Sequence, residues 1–230
     1  MNIKSVKNAF VGLVLSISGL ANAGLITEYD FHNATGTSEG SSNTQSGFLA
    51  SSLTLTNAQN NVNAFDSHFY HTGWDTTKNI NKYYSFNLSN NTDNFSIDRM
   101  TFSMEDLSGT ASNWFLGSSL DNYQSTLASG IFGSSGNGEV VPFDITLNNL
   151  VTSNKNIEFR FYVTASNLGE RAGFANHLWG AQNHIHEGIL QYGYNELSVY
   201  GSVTDVPEPS TIAIFALGLM GLASRRFKKQ

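Results

Sequence analysis

Short stretches of alternating apolar and polar residues constrain the fold of this 230-residue chain more than any other feature. In Ile157–Val163, the Ile, Phe, Phe and Val side chains share one face while Glu, Arg and Tyr share the other. That period of two is typical of a half-buried β-strand. Comparable stretches lie at Leu25–Phe31, Phe48–Leu55, Ile80–Leu88, Phe95–Met104, Trp114–Ser118, Val140–Leu147, Ile157–Ala165 and Leu197–Val203.

Residues that favour turns, mainly Asn, Ser and Gly, separate these stretches, and no long helical periodicity interrupts them. About eight to ten short strands with such spacing predict an all-β fold. We expect a two-sheet antiparallel β-sandwich of jelly-roll type between residues 24 and 204. A signal helix would precede this passenger domain, and a short hydrophobic helix would follow it.

The N-terminus has the three parts of a secretory signal peptide. Lys4 and Lys7 are followed by the apolar stretch Ala9–Leu20 and then by the small residues Ala21-Asn22-Ala23. This order predicts a signal peptide over residues 1–23, with cleavage between Ala23 and Gly24. The chain is therefore expected to be exported.

The C-terminus, residues 205–230, combines a proline-rich turn, an apolar segment and a basic end. Val206-Pro207-Glu208-Pro209 is extended because proline fixes φ and lacks a backbone donor. Ile212–Ala223 would form about 18 Å of helix, against a bilayer core of about 30 Å. Such a helix would enter the inner membrane only with local bilayer thinning or snorkelling of its flanking cations. The positive-inside rule places these cations on the cytoplasmic side: Arg225, Arg226, Lys228 and Lys229.

This tail closely resembles the PEP-CTERM sorting signal of exported bacterial proteins, a tail that is also grouped under an ice-binding-protein C-terminal name. The resemblance implies recognition by an exosortase, a membrane-embedded transpeptidase, and cleavage near Pro207-Glu208-Pro209. The body resembles jelly-roll passenger domains of PEP-CTERM proteins at four segments, which are Tyr84–Phe86, Ser112–Tyr123, Phe159–Tyr162 and Leu197–Gly201. Those domains are similar to carbohydrate-binding modules and imply a place in biofilm matrix or the cell envelope.

Charge and cysteine content exclude several classes of function. Of 12 basic and 18 acidic residues, six basic residues and one acidic residue lie outside residues 24–206, which leaves a net charge of −11 there. A surface of that charge repels phosphate backbones, so we expect no nucleic-acid partner. The chain has no cysteine, so neither a thiol nucleophile nor a disulfide is available.

No residue set in the sequence predicts catalysis. Glu105 and Asp106 are adjacent carboxylates, but neighbours in a strand face opposite sides, whereas a glycosidase needs two convergent carboxylates. Their candidate partners are Asp66, Asp75, Asp121 and Glu187. We therefore expect a non-enzymatic protein, with a secreted polysaccharide hydrolase or lyase as the alternative.

Metal binding has only weak support in the sequence. His184 and His186 would share one face of a strand near His177, and imidazoles in such a group can bind zinc. Histidines two residues apart are common by chance, so we expect no metal there. No cofactor is expected either, although calcium would suit an acidic exported domain with many oxygen ligands.

Aromatic residues among polar loops are the best candidates for ligand contact. Trp74 and Trp179 are each flanked by a glycine, which favours a loop position where a sugar ring would stack on the indole. We expect an exported protein that is held briefly in the inner membrane and then transferred to the cell surface or matrix. There it would bind exopolysaccharide without modifying it.

Overall fold

The computed structural model describes most of the passenger domain. The residues described are 23–31, 36–59, 68–91, 93–107, 111–133, 140–152, 155–167, 170–175 and 196–203. Two predicted helices, the signal helix and the C-terminal helix, lie outside these ranges. Within them, no helix is long and apolar enough to cross a bilayer.

Fourteen strands and one short 3₁₀ turn make up the described structure. The first seven strands are β1 (Gly24–Tyr29), β2 (Ser38–Glu39), β3 (Asn43–Thr44), β4 (Phe48–Ala50), β5 (Leu53–Thr56), β6 (His68–His71) and β7 (Tyr83–Asn90). The next three are β8 (Phe95–Asp106), β9 (Ser112–Ser118) and β10 (Ala128–Phe132), with the 3₁₀ turn Ser119–Asp121 between β9 and β10. The last four are β11 (Val140–Val151), β12 (Asn156–Thr164), β13 (Ala172–Ala175) and β14 (Leu197–Val203).

These strands form two antiparallel sheets. The sheet that we call the β8 sheet has the order β3-β1-β14-β8-β13-β6, and β11 pairs with the other edge of β8. The sheet that we call the β12 sheet has the order β10-β9-β12-β7-β5-β2, and β4 also pairs with β7. The prediction of an all-β two-sheet antiparallel sandwich is therefore confirmed, while the jelly-roll connectivity stays a prediction.

The core between the sheets is mainly aromatic. Phe161 of β12 packs edge-on against Phe102 of β8 at 5.1 Å and against Phe174 of β13 at 5.1 Å between ring centroids. Trp114 of β9 contacts the same Phe102 ring at 5.0 Å. Aromatic pairs with this geometry contribute beyond the area that they bury, by about 0.5–1.5 kcal/mol each. Rings from both sheets thus hold together a domain that has no disulfide.

Several strand predictions differ from the structure in extent. The stretch Phe48–Leu55 divides into β4 and β5, and Ile80–Lys82 precedes β7 instead of belonging to it. Ile80 is 68% exposed in the loop that leads to β7, so its apolar side chain does not mark a buried strand position. Strand β1 begins at Gly24, so cleavage at the predicted signal site would leave every described strand in the mature protein.

Candidate functional site

Four aromatic rings lie together on the outer face of the β12 sheet, and we call them the aromatic strip: Tyr83, Phe115, Tyr123 and Tyr162. The alternation of each strand produces this face, because Tyr84, Trp114 and Phe161 turn into the core and their neighbours turn outward. Tyr162 lies directly opposite Phe115 in the strand register. The Tyr83 and Tyr162 rings meet at 5.8 Å in an edge-to-face arrangement.

Arg160 occupies the centre of the strip. Its guanidinium carbon is 3.7 Å from the Tyr123 ring centroid and 4.3 Å from the Tyr83 centroid, so both rings stack on the cation. The Nε atom donates to Glu158 Oε1 at 2.6 Å. Arg160 is fixed by two rings and one carboxylate, and it holds those rings at a set spacing in return.

Tyr123 reaches the strip from a rigid turn after β9. Asn122 and Tyr123 both have left-handed backbone, with φ of 55° and 61°. The Tyr123 amide donates to the Ser118 carbonyl at 2.9 Å, and the Asp121 carboxylate accepts hydrogen bonds from the Ser125 amide and hydroxyl. Left-handed residues other than glycine are uncommon, and such conformations often occur at functional sites.

The hydroxyls of Tyr123 and Tyr162 stay protonated at physiological pH. Burial and then the charge of Glu158 raise the pKa of Tyr123, while Arg160 opposes them. Burial also raises the pKa of Tyr162, and the hydrogen bond from Arg160 partly offsets it. Burial opposes the charged form of Arg160, but the Glu158 hydrogen bond and charge raise its pKa overall. Neutral phenols beside a permanent cation can both donate to and accept from the hydroxyls of a sugar.

Trp74, one of the two rings predicted to stack on a ligand, is buried. It is 0% exposed, its Nε1 atom donates to the Ala172 carbonyl at 3.0 Å, and its ring packs on Tyr84 at 5.1 Å. The expectation of a surface ring at Trp74 is wrong, because the flanking glycine serves a turn that carries the indole inward. Gly73 has φ +82°, and a side chain there would meet Gln59.

The first two candidate catalytic carboxylates have local partners. Glu105 Oε2 lies 3.0 Å from His68 Nε2, and both side chains are buried. Asp106, also buried, accepts a short hydrogen bond from the hydroxyl of Ser112. The two neighbouring carboxylates therefore serve separate contacts.

The other described candidates are held in loops. Asp75 accepts from Lys82 at 2.8 Å and from Asn79 at 2.6 Å, and these two hydrogen bonds lower its pKa. Asp121 accepts hydrogen bonds from Ser125 across the turn that contains Tyr123, and these hydrogen bonds lower its pKa as well. A general acid needs a raised pKa, so neither carboxylate suits that role.

Carboxylates do converge at another place, which we call the carboxylate cluster: Glu28, Asp30, Glu39 and Glu196. Glu28 and Glu196 share a side-chain hydrogen bond, and burial followed by Glu196 and Asp30 raises the pKa of Glu28 to about 7. Burial and the charge of Asp30 raise the pKa of Glu39 to about 7 as well. Sequence analysis missed this cluster because its members lie far apart in the chain: Glu28 in β1, Asp30 just after it, Glu39 in β2 and Glu196 just before β14.

Among the described residues, no group of three or more His, Asp or Glu side chains could hold a metal ion. Calcium binding therefore stays a prediction without a ligand set. The remaining predicted positions fall outside the described residues: Trp179, His177, His184, His186, Asp66, Glu187, the Val206–Pro209 motif, and the basic residues Arg225, Arg226, Lys228 and Lys229.

The sequence pattern predicted only part of the aromatic strip. Alternation in Ile157–Val163 places Arg160 and Tyr162 on the outer face, and that much was predicted. The pairing of β12 with β7 and β9, which brings Tyr83 and Phe115 beside them, depends on register. Register between distant strands leaves no signal in one sequence.

Comparison with known proteins gives one family match and several fold matches. The family described as the PEP-CTERM protein-sorting motif matches residues 205–229. A family 29 carbohydrate-binding module is 13% identical, with a TM-score of 0.35 over 79% of this chain and 90% of that chain. A CBM4 structure is 10% identical, with a TM-score of 0.31 over 46% of this chain and 65% of that chain.

A further solved structure is the K3 cleaved adhesin domain of Lys-gingipain from Porphyromonas gingivalis w83. It is 8% identical, with a TM-score of 0.31 over 66% of this chain and 97% of that chain. No curated protein matches the sequence significantly. The chain joins a β-sandwich domain to a C-terminal tail that matches the PEP-CTERM protein-sorting motif, and this motif implies export and exosortase processing.

Proposed function

We propose that this protein binds exopolysaccharide through the aromatic strip at the cell surface or in the extracellular matrix, and that it does not modify the polymer. The observation that carries the proposal is the strip itself. Arg160 is held by Glu158 and stacks on Tyr83 and Tyr123. Tyr83 meets Tyr162 edge to face, and Phe115 lies opposite Tyr162 on β9. Sugar rings stack on aromatic planes through their C–H faces, while hydroxyls bond to polar groups.

The neighbours of the strip include neutral polar side chains that suit the hydroxyls of a sugar polymer. Ser85 lies opposite Arg160 and Asn87 lies opposite Glu158 on β7. Asn113 on β9 donates to the Thr164 hydroxyl at 3.2 Å. Amides and hydroxyls that flank exposed rings supply the few oriented polar contacts that a ligand site requires.

Substitution of the strip tests the proposal. The exported protein, purified from its source, is titrated with the host's own exopolysaccharide by affinity electrophoresis. Tyr83→Ala and Tyr123→Ala should each weaken binding about tenfold, which corresponds to about 1.4 kcal/mol. Tyr200→Ala is the matched control, because Tyr200 also lies against an arginine but on the β8 sheet. Equal losses in all three variants would refute binding by the strip.

A separate experiment tests the proposed export and exosortase cleavage. We expect a mature N-terminus at Gly24 and removal of the chain beyond Pro207-Glu208-Pro209, both readable by mass spectrometry of the isolated protein. In a strain without its exosortase, the uncleaved form should accumulate in the inner membrane. Recovery of the full-length C-terminus from soluble cytosolic material would contradict the proposed route.

The carboxylate cluster favours a second candidate function, the hydrolysis of polysaccharide. A carboxyl group with a pKa of about 7 is about half protonated at neutral pH, and a general acid reacts from its protonated form. A reducing-end assay on the same polymer separates the two functions. Product formation that is lost in Glu28→Gln would support the hydrolase. Binding without product would support the binding protein.

A further inference from the structure

Lys78 extends the aromatic strip with a cation. Its ammonium lies 4.6 Å from the Tyr162 ring centroid and 5.5 Å from the Phe115 centroid. Tyr162 is only 1% exposed although it faces outward, so its ring is covered where Lys78 lies. A ligand that approaches this part of the strip meets the ammonium before it meets the Tyr162 ring.

The loop that carries Lys78 is firmly anchored on both sides of the lysine. Lys82 bonds to the Gly73 carbonyl at 2.7 Å and to Asp75 at 2.8 Å. Trp74 is fixed in the core by its bond to Ala172. The position of Lys78 over the strip is therefore a property of the loop, and its flexible side chain has only to extend across the rings.

The charge of Lys78 is not neutralised by a carboxylate among the described residues. All six basic residues of the mature domain are described, and three of them, Lys82, Arg99 and Arg160, form salt bridges. Lys78 contacts aromatic faces instead. In a domain with net charge −11, Lys78 thus places a positive charge against two rings of a candidate ligand face.

We propose that Lys78 binds a carboxylate on the polysaccharide, so that the protein selects a polymer in which acidic sugars are spaced among neutral ones. This inference rests on the proposed function. The neutral sugars would stack on the exposed parts of Tyr83, Phe115 and Tyr123, and the acidic sugar would meet the ammonium. The acidic surface of the domain repels a polymer whose charges are dense. At physiological salt this repulsion acts within a Debye length of about 8 Å. Widely spaced carboxylates avoid that repulsion and keep the short-range contact.

A purely structural role for Lys78 makes a different prediction. If the lysine only shields Tyr162 from water, its removal lowers stability and leaves the preference between acidic and neutral polymers unchanged. Long lysine side chains do cover apolar surface in this way. Thermal unfolding of each variant therefore accompanies the binding measurement.

The experiment compares two forms of one polymer, the host exopolysaccharide before and after chemical reduction of its carboxyl groups to alcohols. Wild-type protein should bind the native polymer at least tenfold more tightly than the reduced polymer. Lys78→Gln should bind both with the weaker affinity, whereas Lys78→Arg should keep the preference. Lys155→Gln, which removes the same charge from an exposed residue before β12, should behave as wild type.

The outcomes distinguish failure of the proposed role of Lys78 from failure of the proposed glycan binding. Equal wild-type affinity for both polymers, or a preference that survives in Lys78→Gln, overturns the role of Lys78 and leaves glycan binding intact. Absence of binding to either polymer refutes the proposed function and this inference with it.

Discussion

Replacement of Glu39 by Gln should change how the stability of the domain depends on pH. Glu39 is 6% exposed on the edge strand β2, near the charge of Asp30. Burial and that charge raise its pKa from 4.5 to about 7. The folded protein thus keeps a proton on Glu39 at pH values where the unfolded chain has released it.

The sign of the effect follows from proton binding. Between about pH 4.5 and pH 7, the folded state binds more protons than the unfolded state, so stability falls as the pH rises through this window. One pKa unit corresponds to about 1.4 kcal/mol, so the full shift is worth about 3 kcal/mol. Gln has the same shape and does not titrate. Relative to wild type, Glu39→Gln should therefore gain about 2–3 kcal/mol in unfolding free energy from pH 5 to pH 8.

Urea unfolding followed by tryptophan fluorescence at pH 5 and pH 8 measures this difference. Other titrating groups, such as His71, whose pKa burial lowers, contribute equally to both proteins and cancel. Asp30→Asn should reduce the wild-type pH dependence, because the Asp30 charge contributes to the raised pKa of both Glu39 and Glu28. A wild-type to variant difference that is the same at both pH values would refute the reasoning.

Three further predictions concern the core and are read by the same unfolding assay. Tyr84→Phe should lower the free energy of unfolding by about 1–3 kcal/mol, because the Tyr84 hydroxyl lies 3.2 Å from the carbonyls of Phe69 and Ala172 and 3.1 Å from His71 Nδ1. An unchanged urea midpoint would contradict this prediction. Trp114→Ala should lower the free energy of unfolding by about 3–5 kcal/mol, because the 1% exposed indole fills space between the sheets. A loss under about 1 kcal/mol would contradict this prediction and show that neighbouring side chains fill the cavity. Gly173→Ala should prevent folding, because its Cβ would lie 2.5 Å from the Phe69 carbonyl oxygen, whereas Gly24→Ala, with nothing within 4 Å, should fold normally.

The alternating strands could be predicted from sequence because each has one buried face and one solvated face. Strand β12 shows this pattern without exception from Asn156 to Arg160, and β7 shows it along its whole length. Strands β6 and β13 were missed for the opposite reason. All four residues of each are buried, so no alternation marks them.

Both candidate sites depend on contacts between distant segments, and this is why sequence analysis found only parts of them. The strip joins β7, β9, β12 and the turn that carries Tyr123. The carboxylate cluster joins β1, the residue after it, β2 and the residue before β14. Tyr123 ends the segment Ser112–Tyr123, which resembles PEP-CTERM passenger domains, but its stacking on Arg160 needs the left-handed turn at Asn122. The sorting tail, by contrast, is continuous in sequence and could be recognised whole.

Because residues alternate along β12, the side chains proposed to form the ligand site differ from those that pack in the core. Phe159 and Phe161 point into the core, where they are 0% exposed, while Arg160 and Tyr162 between and beside them form the outer face. Truncation of an outer ring such as Tyr83 or Tyr123 therefore leaves the inter-sheet packing intact. Such variants should unfold within about 1 kcal/mol of wild type, as is usual for substitutions away from the core. A loss of glycan binding in a variant of that stability can then be assigned to the strip itself, since the sandwich that carries it is unchanged.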